Sequence, residues 1–160
     1  MNSKHQYLAE KLAIEFSKLP QVVSVALSGS SAHSVDITDS DSDIDLYVYV
    51  NDEIPIEIRE AIVENTGGSN LKNIGLEYWG AGDEWINKPT NIEVDIVYFE
   101  KNWIESELDK VIIRNESNMG YTTCFWSIVR NSIILFDPTN WFSELQQITV
   151  CQYPDELQKI

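Results

Sequence analysis

Residues 43 to 50 are Asp43-Ile44-Asp45-Leu46-Tyr47-Val48-Tyr49-Val50, the strongest alternation in the chain. Alternation with a period of two is typical of a β-strand, in which residues two apart share a face. The sequence therefore predicts that the aliphatic side chains of this strand face the core. Asp43 and Asp45 are then expected side by side on the opposite face.

A glycine-containing turn is predicted upstream of this strand. Val22 to Leu27 is a β-branched run typical of a buried strand, and it leads into Ser28-Gly29-Ser30-Ser31. Glycine has no Cβ, so backbone N–H groups there can approach a phosphate closely, and the serine hydroxyls add donors. A lone Gly-Ser pair is more often an ordinary turn. Twelve residues separate this pair from Asp43, which makes it a candidate phosphate-binding turn.

Asp43 and Asp45 are candidate metal ligands. Residues two apart on a strand lie about 6.6 Å apart between Cα atoms, so the two carboxylates repel unless a positive charge lies between them. Mg²⁺ is usually held by one or two carboxylates together with substrate phosphates. The alternative is a solvated strand face with two unpaired acids.

A third carboxylate comes from a second alternating stretch. Ile92 to Phe99 places Glu93 and Asp95 on one face, opposite apolar residues. If this strand lies next to the strand of Asp43, about 4.8 Å away, Asp95 completes a three-acid cluster able to hold two metal ions.

The other elements follow from apolar periodicity, and residues 1–152 are expected to form one domain. Further helices and strands are predicted as follows: helices from Ser3 to Lys18, Pro55 to Glu64, Trp103 to Ile113, Thr122 to Val129 and Trp141 to Ile148, strands from Ile74 to Trp79 and Ser132 to Phe136, and a turn at Gly80 to Asp83.

The charge balance limits the class of partner. The chain of 160 residues has 26 acids against 11 Lys and Arg, a formal net charge of −15, and its bases form no cluster. A protein that grips a polynucleotide needs a basic stripe, so a long nucleic acid is not an expected partner. The negative electrostatic field of the chain would attract a cationic small molecule such as an amino sugar. The alternative is that the excess of acidic residues only keeps the domain soluble.

The expected compartment and the two cysteines indicate no further functional site. No apolar run is long enough to span a bilayer and the N-terminus lacks a signal-peptide core, so a cytoplasmic protein without a membrane partner is expected. Cys124 and Cys151 have no CxxC spacing and are expected to be buried structural thiols. The tryptophans are expected to be mainly core or interface anchors, although some could stack on a base or sugar.

Gly29-Ser30, Ser42-Asp43-Ile44-Asp45-Leu46 and the strand-borne Asp95 together resemble the nucleotidyltransferase superfamily of the DNA polymerase β type. The resemblance covers about residues 22 to 100. It is closest to the small-molecule branches, such as the aminoglycoside and lincosamide nucleotidyltransferases, and to uncharacterised bacterial branches. It implies an α/β (α+β) fold of the polymerase-β type, with a small mixed sheet flanked by helices.

The resemblance also implies roles. Asp43 and Asp45 would bind two Mg²⁺ ions, with Mn²⁺ as a substitute, and Asp95 would bind the catalytic one. Gly29, Ser30 and Ser31 would hold the triphosphate, while Ser42 would support the start of the strand. Many relatives have Arg and Gly shortly after the Gly-Ser pair, whereas this chain has His33 and Ser34.

The expected activity is transfer of a nucleoside monophosphate from a nucleoside triphosphate, ATP in the first place, to a hydroxyl of a small molecule. Asp95 or Glu93 is the expected general base. A second hypothesis is a nucleotidyltransferase-like antitoxin, which acts by binding a protein partner, and a third is a degenerate fold without turnover. The molecule could also be a homo-oligomer.

The end of the chain has a helix-start pattern. Tyr153-Pro154-Asp155-Glu156 places proline and two acids where a helix N-terminus favours them. Residues 153–160 are therefore expected to begin a helix that leads into a further helical domain over the acceptor, or to pack on the sheet of their own domain.

Overall fold

The computed structural model describes residues 3–28, 43–77, 80–118 and 120–159. This part of the chain contains five α-helices and one six-stranded sheet. The helices are α1 (Ser3–Ser17), α2 (Ile56–Asn65), α3 (Lys101–Ile112), α4 (Cys124–Asn131) and α5 (Trp141–Thr149), and the strands are β1 (Val22–Leu27), β2 (Ile44–Val50), β3 (Ser69–Leu76), β4 (Gly82–Asn87), β5 (Glu93–Glu100) and β6 (Ile133–Phe136).

The sheet is mixed, with strand order β3-β4-β5-β2-β1-β6. β2 and β5 pair in parallel at its centre, and every other neighbouring pair is antiparallel. The expectation of an α/β chain with a mixed sheet and flanking helices is therefore confirmed. The two strands predicted to hold the acids are direct neighbours.

Each face of the sheet has its own apolar layer. On one face, α1 and α2 pack against the aliphatic residues of β2, which include Ile44, Leu46 and Val48. On the other face, α3, α4 and α5 pack against Tyr49 of β2 and Phe99 of β5. Asp45 precedes Tyr49 on this second face but is only half-buried. The second layer thus covers one end of its face and leaves the acid-bearing end accessible.

The structure corrects two predictions next to the site, the bounds of a strand and the position of a turn. The strand expected from Ile74 to Trp79 runs from Ser69 to Leu76, and the predicted turn at Gly80 to Asp83 is wrong in its second half because β4 begins at Gly82. A Cβ on Gly82 would lie 3.0 Å from the Ile96 carbonyl oxygen. Gly82 therefore permits the close pairing of β4 with β5, rather than a turn.

The end of the chain packs on the second apolar layer. Leu157 is buried in that layer, in a 3₁₀ turn over Leu157–Lys159, and the Tyr153 ring stacks on Trp126 at 5.8 Å between centroids. The helix predicted to begin at residue 153 is therefore only this short 3₁₀ turn in the described residues. The prediction of a following helical domain stays a prediction.

Two further observations concern the surface. Cys124 is exposed and Cys151 half-buried, so the expectation of buried thiols is wrong for Cys124, which begins α4 beside an open cavity. None of the described helices combines the length and the apolar character that a membrane span requires.

Candidate metal centre

The pairing of β2 with β5 places two carboxylates opposite each other. In the parallel register of these strands, Asp45 is the direct partner of Asp95. Directly opposed residues on adjacent strands share a face, and neighbouring strands lie about 4.8 Å apart. Asp43 precedes β2 and is exposed, two residues before Asp45 on the same side of the alternation. The predicted three-acid arrangement thus rests on adjacent strands.

A fourth carboxylate comes from β4. Glu84 is the antiparallel partner of Asp95, so Asp95 lies between Asp45 on one side and Glu84 on the other. Among the described residues, the carboxylate oxygens of Glu84, Glu93 and Asp95 all come within 4.8 Å of one another. Asp43 and Asp45 are outside this closest set, and their assignment as metal ligands stays a prediction. We call these five residues the acidic cluster.

Repulsion within the acidic cluster is visible in its proton affinities. Burial, followed by the charge of Asp45, raises the pKa of Asp95 to about 6. The charges of Glu93 and Glu84 act in the same direction. The pKa of Glu93 is also raised, in the first place by Asp43. The Asp95 carboxyl of the metal-free chain therefore keeps its proton to a higher pH than an ordinary aspartate does.

The cluster has the chemistry of a divalent-cation site. No Lys or Arg in the described part of the chain forms an ion pair with Glu84, Glu93 or Asp95. Carboxylate oxygens are the donors that Mg²⁺ and Mn²⁺ prefer, and a cation between them would relieve their repulsion. The donor set therefore fits the predicted metal.

The predicted phosphate turn begins beside the cluster. β1 runs antiparallel to β2, and the Ser28 N–H donates to the Asp45 carbonyl oxygen at 2.9 Å. Ser28, the last described residue before the predicted turn, therefore lies next to the start of β2. Gly29, Ser30, Ser31 and Ser42, as well as His33, lie outside the described residues.

Tyr47 extends the same face away from the cluster. It is two residues after Asp45, and it contacts Phe99 of β5 at 5.7 Å between ring centroids. Burial raises the pKa of Tyr47, with a smaller contribution from the charge of Asp45, while a hydrogen bond with Ser28 opposes the shift. The hydroxyl of Tyr47 therefore remains protonated at neutral pH.

Glu84 is the member of the cluster that sequence reasoning missed. Its strand does not alternate by residue type, because Trp85 and Ile86 are both apolar and the buried positions include Asp83 and Asn87. The polar residues at core positions conceal the period of two. A search of the sequence for acids near glycines would have found Glu84, but only as one of several candidate metal ligands.

Comparison with known proteins identifies no relative: the chain matches no protein-family model and no curated protein.

Proposed function

We propose that this protein is a Mg²⁺-dependent nucleotidyltransferase that moves a nucleoside monophosphate from a nucleoside triphosphate to a hydroxyl of a small molecule. The observation that supports it best is the register of Asp45 with Asp95 on central parallel strands, together with the hydrogen bond from the N–H of Ser28, the residue before Gly29, to the Asp45 carbonyl oxygen. A fold of the polymerase-β type is part of the proposal.

Asp43, Asp45 and Asp95 would hold two divalent cations, and Glu84 is a further candidate ligand. When bound, the cations supply positive charge that polarises the α-phosphate and neutralises the leaving pyrophosphate. The turn at Gly29, Ser30 and Ser31 would hold the triphosphate through backbone N–H groups and hydroxyls. ATP is the expected donor.

The transfer step needs a proton acceptor. The acceptor oxygen forms a bond to the α-phosphorus as the bond between this phosphorus and the bridging oxygen breaks, and pyrophosphate leaves with that oxygen. The hydroxyl proton passes to Asp95 or Glu93. Both carboxylates lie on the face of β5 that carries the acidic cluster, so either could take the proton of a hydroxyl bound there.

The acceptor is proposed to be a small molecule because the charge of the chain disfavours polynucleotides. A net charge of −15 repels phosphate backbones and favours neutral or cationic compounds. The triphosphate itself would approach as its magnesium complex, which reduces its negative charge.

The test is a pyrophosphate-release assay with each nucleoside triphosphate, Mg²⁺ and a panel of hydroxylated acceptors. We expect release that depends on acceptor and is lost in Asp45→Asn and Asp95→Asn. Glu156→Gln, which removes an exposed acid outside the acidic cluster, is the matched control and should retain activity. Acceptor-dependent release that persists in both Asn variants would refute the site. No release from any triphosphate across the panel would favour a binding role over catalysis.

A further inference from the structure

An open cavity of about 660 Å³ lies over the same face of the sheet as the acidic cluster. Tyr47 and Val97 form part of its floor, and these residues follow Asp45 and Asp95 by two positions on the same strands. A spacing of two residues along a strand is about 6.6 Å. The floor of the cavity therefore continues the sheet face on which the acids lie.

Aromatic side chains form the walls of this cavity. Trp103 stacks on Phe99 at 5.8 Å and contacts Phe125 edge to face at 4.8 Å, while Tyr121 stacks on Phe125 at 6.3 Å. These mutual contacts hold the rings in fixed orientations. The rings nevertheless leave area uncovered, because Trp103 is 40% and Tyr121 38% exposed.

Most of the residues that line the cavity are apolar or aromatic. Glu107 is buried in the wall but forms an ion pair with Lys110, and the other polar groups of the lining include Asn118, Cys124 and the hydroxyls of Tyr47 and Tyr121. A polyhydroxylated ligand would find few hydrogen-bond partners here, and unsatisfied hydroxyls are costly to bury. An anionic ligand would face the acidic cluster at one end of the cavity.

We propose that this cavity binds the flat aromatic body of an uncharged hydroxyl compound, an aryl alcohol or a phenol. Its ring system lies between Trp103, Tyr121 and Phe125, over Tyr47 and Val97. Small-molecule sites of this volume are typically apolar with a few convergent polar groups, which is the composition found here.

The orientation of the ligand follows from the position of the acids. A bicyclic ring on Val97 reaches the level of Asp95, one strand repeat away, so a hydroxyl at its end faces the acidic cluster. In this respect the inference rests on the proposed function: the bound alcohol is then the acceptor of the transfer reaction. Binding to the cavity itself needs neither nucleotide nor metal.

Binding can be measured on the full chain by ligand-observed NMR with 2-naphthol as the probe, without nucleotide or divalent metal. We expect saturable binding that Trp103→Ala and Tyr121→Ala each weaken about fivefold, the loss of one aromatic contact. Tyr7→Ala removes from α1 a ring identical to that of Tyr121, at a position where Tyr7 is 66% exposed, and should leave the affinity unchanged. Glucosamine should not compete, and naphthalene-2-sulfonate should bind more weakly than 2-naphthol.

Absence of saturable binding to the wild-type chain would overturn the inference, as would an equal loss in Tyr7→Ala. Melting curves of the three variants show whether each is folded, and the two exposed positions Trp103 and Tyr121 provide independent readings of the same cavity. The pyrophosphate assay separates this result from the proposed function. Naphthol binding without transfer supports the cavity and counts against the enzyme, whereas transfer without naphthol binding does the reverse.

Discussion

Asp45 and Asp95 lie directly opposite each other in the parallel pairing of β2 with β5. Both side chains are half-buried, and the charge of Asp45 contributes to the raised pKa of Asp95. Such a pair stores repulsion in the folded chain, because two like charges on one face cannot both be solvated as in the unfolded state. The predictions for the acidic cluster follow from this arrangement.

Divalent cations should bind at this pair. In calorimetry with a non-hydrolysable triphosphate present, Mg²⁺ and Mn²⁺ should bind to the wild-type chain, because a cation relieves the repulsion. Asp45→Asn and Asp95→Asn should each weaken binding at least about tenfold, as expected for the loss of one charged ligand from a small set. Binding of unchanged affinity in both variants would contradict the assignment.

The metal-free protein should lose stability as pH rises through about 6, the pKa of Asp95. A carboxyl whose pKa is higher in the folded than in the unfolded chain stabilises the fold most at a pH below its unfolded-state pKa, which is 3.8 for Asp95. This contribution is lost as the pH rises through the folded-state pKa. Asp95→Asn stays neutral, so it should melt above the wild type at pH 7.5 and close to it at pH 4.

The control for this comparison is Glu156→Gln, which should change the melting temperature little at either pH because Glu156 is exposed outside the cluster. Addition of Mg²⁺ at pH 7.5 should raise the melting temperature of the wild type more than that of Asp95→Asn. If Asp95→Asn instead melts well below the wild type at pH 7.5, Asp95 has a structural role.

Catalysis and stability should separate at Asp45. Asp45→Asn should abolish acceptor-dependent pyrophosphate release, while its urea midpoint should stay close to that of the wild type, since removal of one carboxylate relieves repulsion. A large fall in the midpoint would mark Asp45 as structural. Retained turnover in a stable variant would instead remove it from the reaction.

The acid-bearing face of β2 and β5 could be predicted because local alternation determines it. The bounds of β1 were also predicted correctly, from a different local signal: Val22–Leu27 is a run rich in β-branched residues, and the strand is buried at every position except Val23. Asp45 and Asp95 are fifty positions apart in the sequence, so local patterns could not show that β2 and β5 are neighbours. The three-acid cluster could therefore be predicted only on the condition that the two strands pair, and in the structure they do.

Glu84 and the aromatic cavity could not be predicted. Asp83, next to Glu84, is a core position that would be apolar in an ordinary strand, and its burial depends on partners from α2 and β5. Trp103 and Tyr121 meet Phe125 only because α3 and the segment before α4 converge over the sheet. Tertiary contacts of this kind leave no periodic signal in the sequence.

Glu84 provides a test of the geometry of the cluster. Glu84→Gln should lower the pKa of Asp95, because the charge of Glu84 is one of the causes of its increase. The ¹³C chemical shift of the Asp95 carboxyl, followed over pH, measures this directly, and Glu156→Gln should leave that titration unchanged. An identical Asp95 titration in Glu84→Gln would mean that Glu84 does not face Asp95 in solution.

The buried ion pair of Arg59 with Asp83 fixes β4 and thereby Glu84. The Arg59 Nη1 donates to Asp83 Oδ1 at 3.0 Å, the Tyr98 hydroxyl donates to Oδ2 at 2.6 Å, and the Gly75 N–H donates to Oδ1 at 2.9 Å. The Arg59 guanidinium also lies over the Tyr98 ring, 5.0 Å from its centroid. Burial and the charge of Asp83 raise the pKa of Tyr98 well above its usual value.

Asp83→Asn should therefore destabilise the domain by about 3–5 kcal/mol in urea unfolding, because it leaves the Arg59 guanidinium buried without a counter-charge. Asp109→Asn, at an ion pair with Arg114 in which both side chains are nearly half-exposed, is the matched control and should cost less than about 1 kcal/mol. The double variant Arg59→Met with Asp83→Asn should recover part of the loss, since the uncompensated charge is gone. Equal effects of Asp83→Asn and Asp109→Asn would show that Arg59 and Asp83 are not buried together in solution, and the placement of Glu84 beside Asp95 would lose its support.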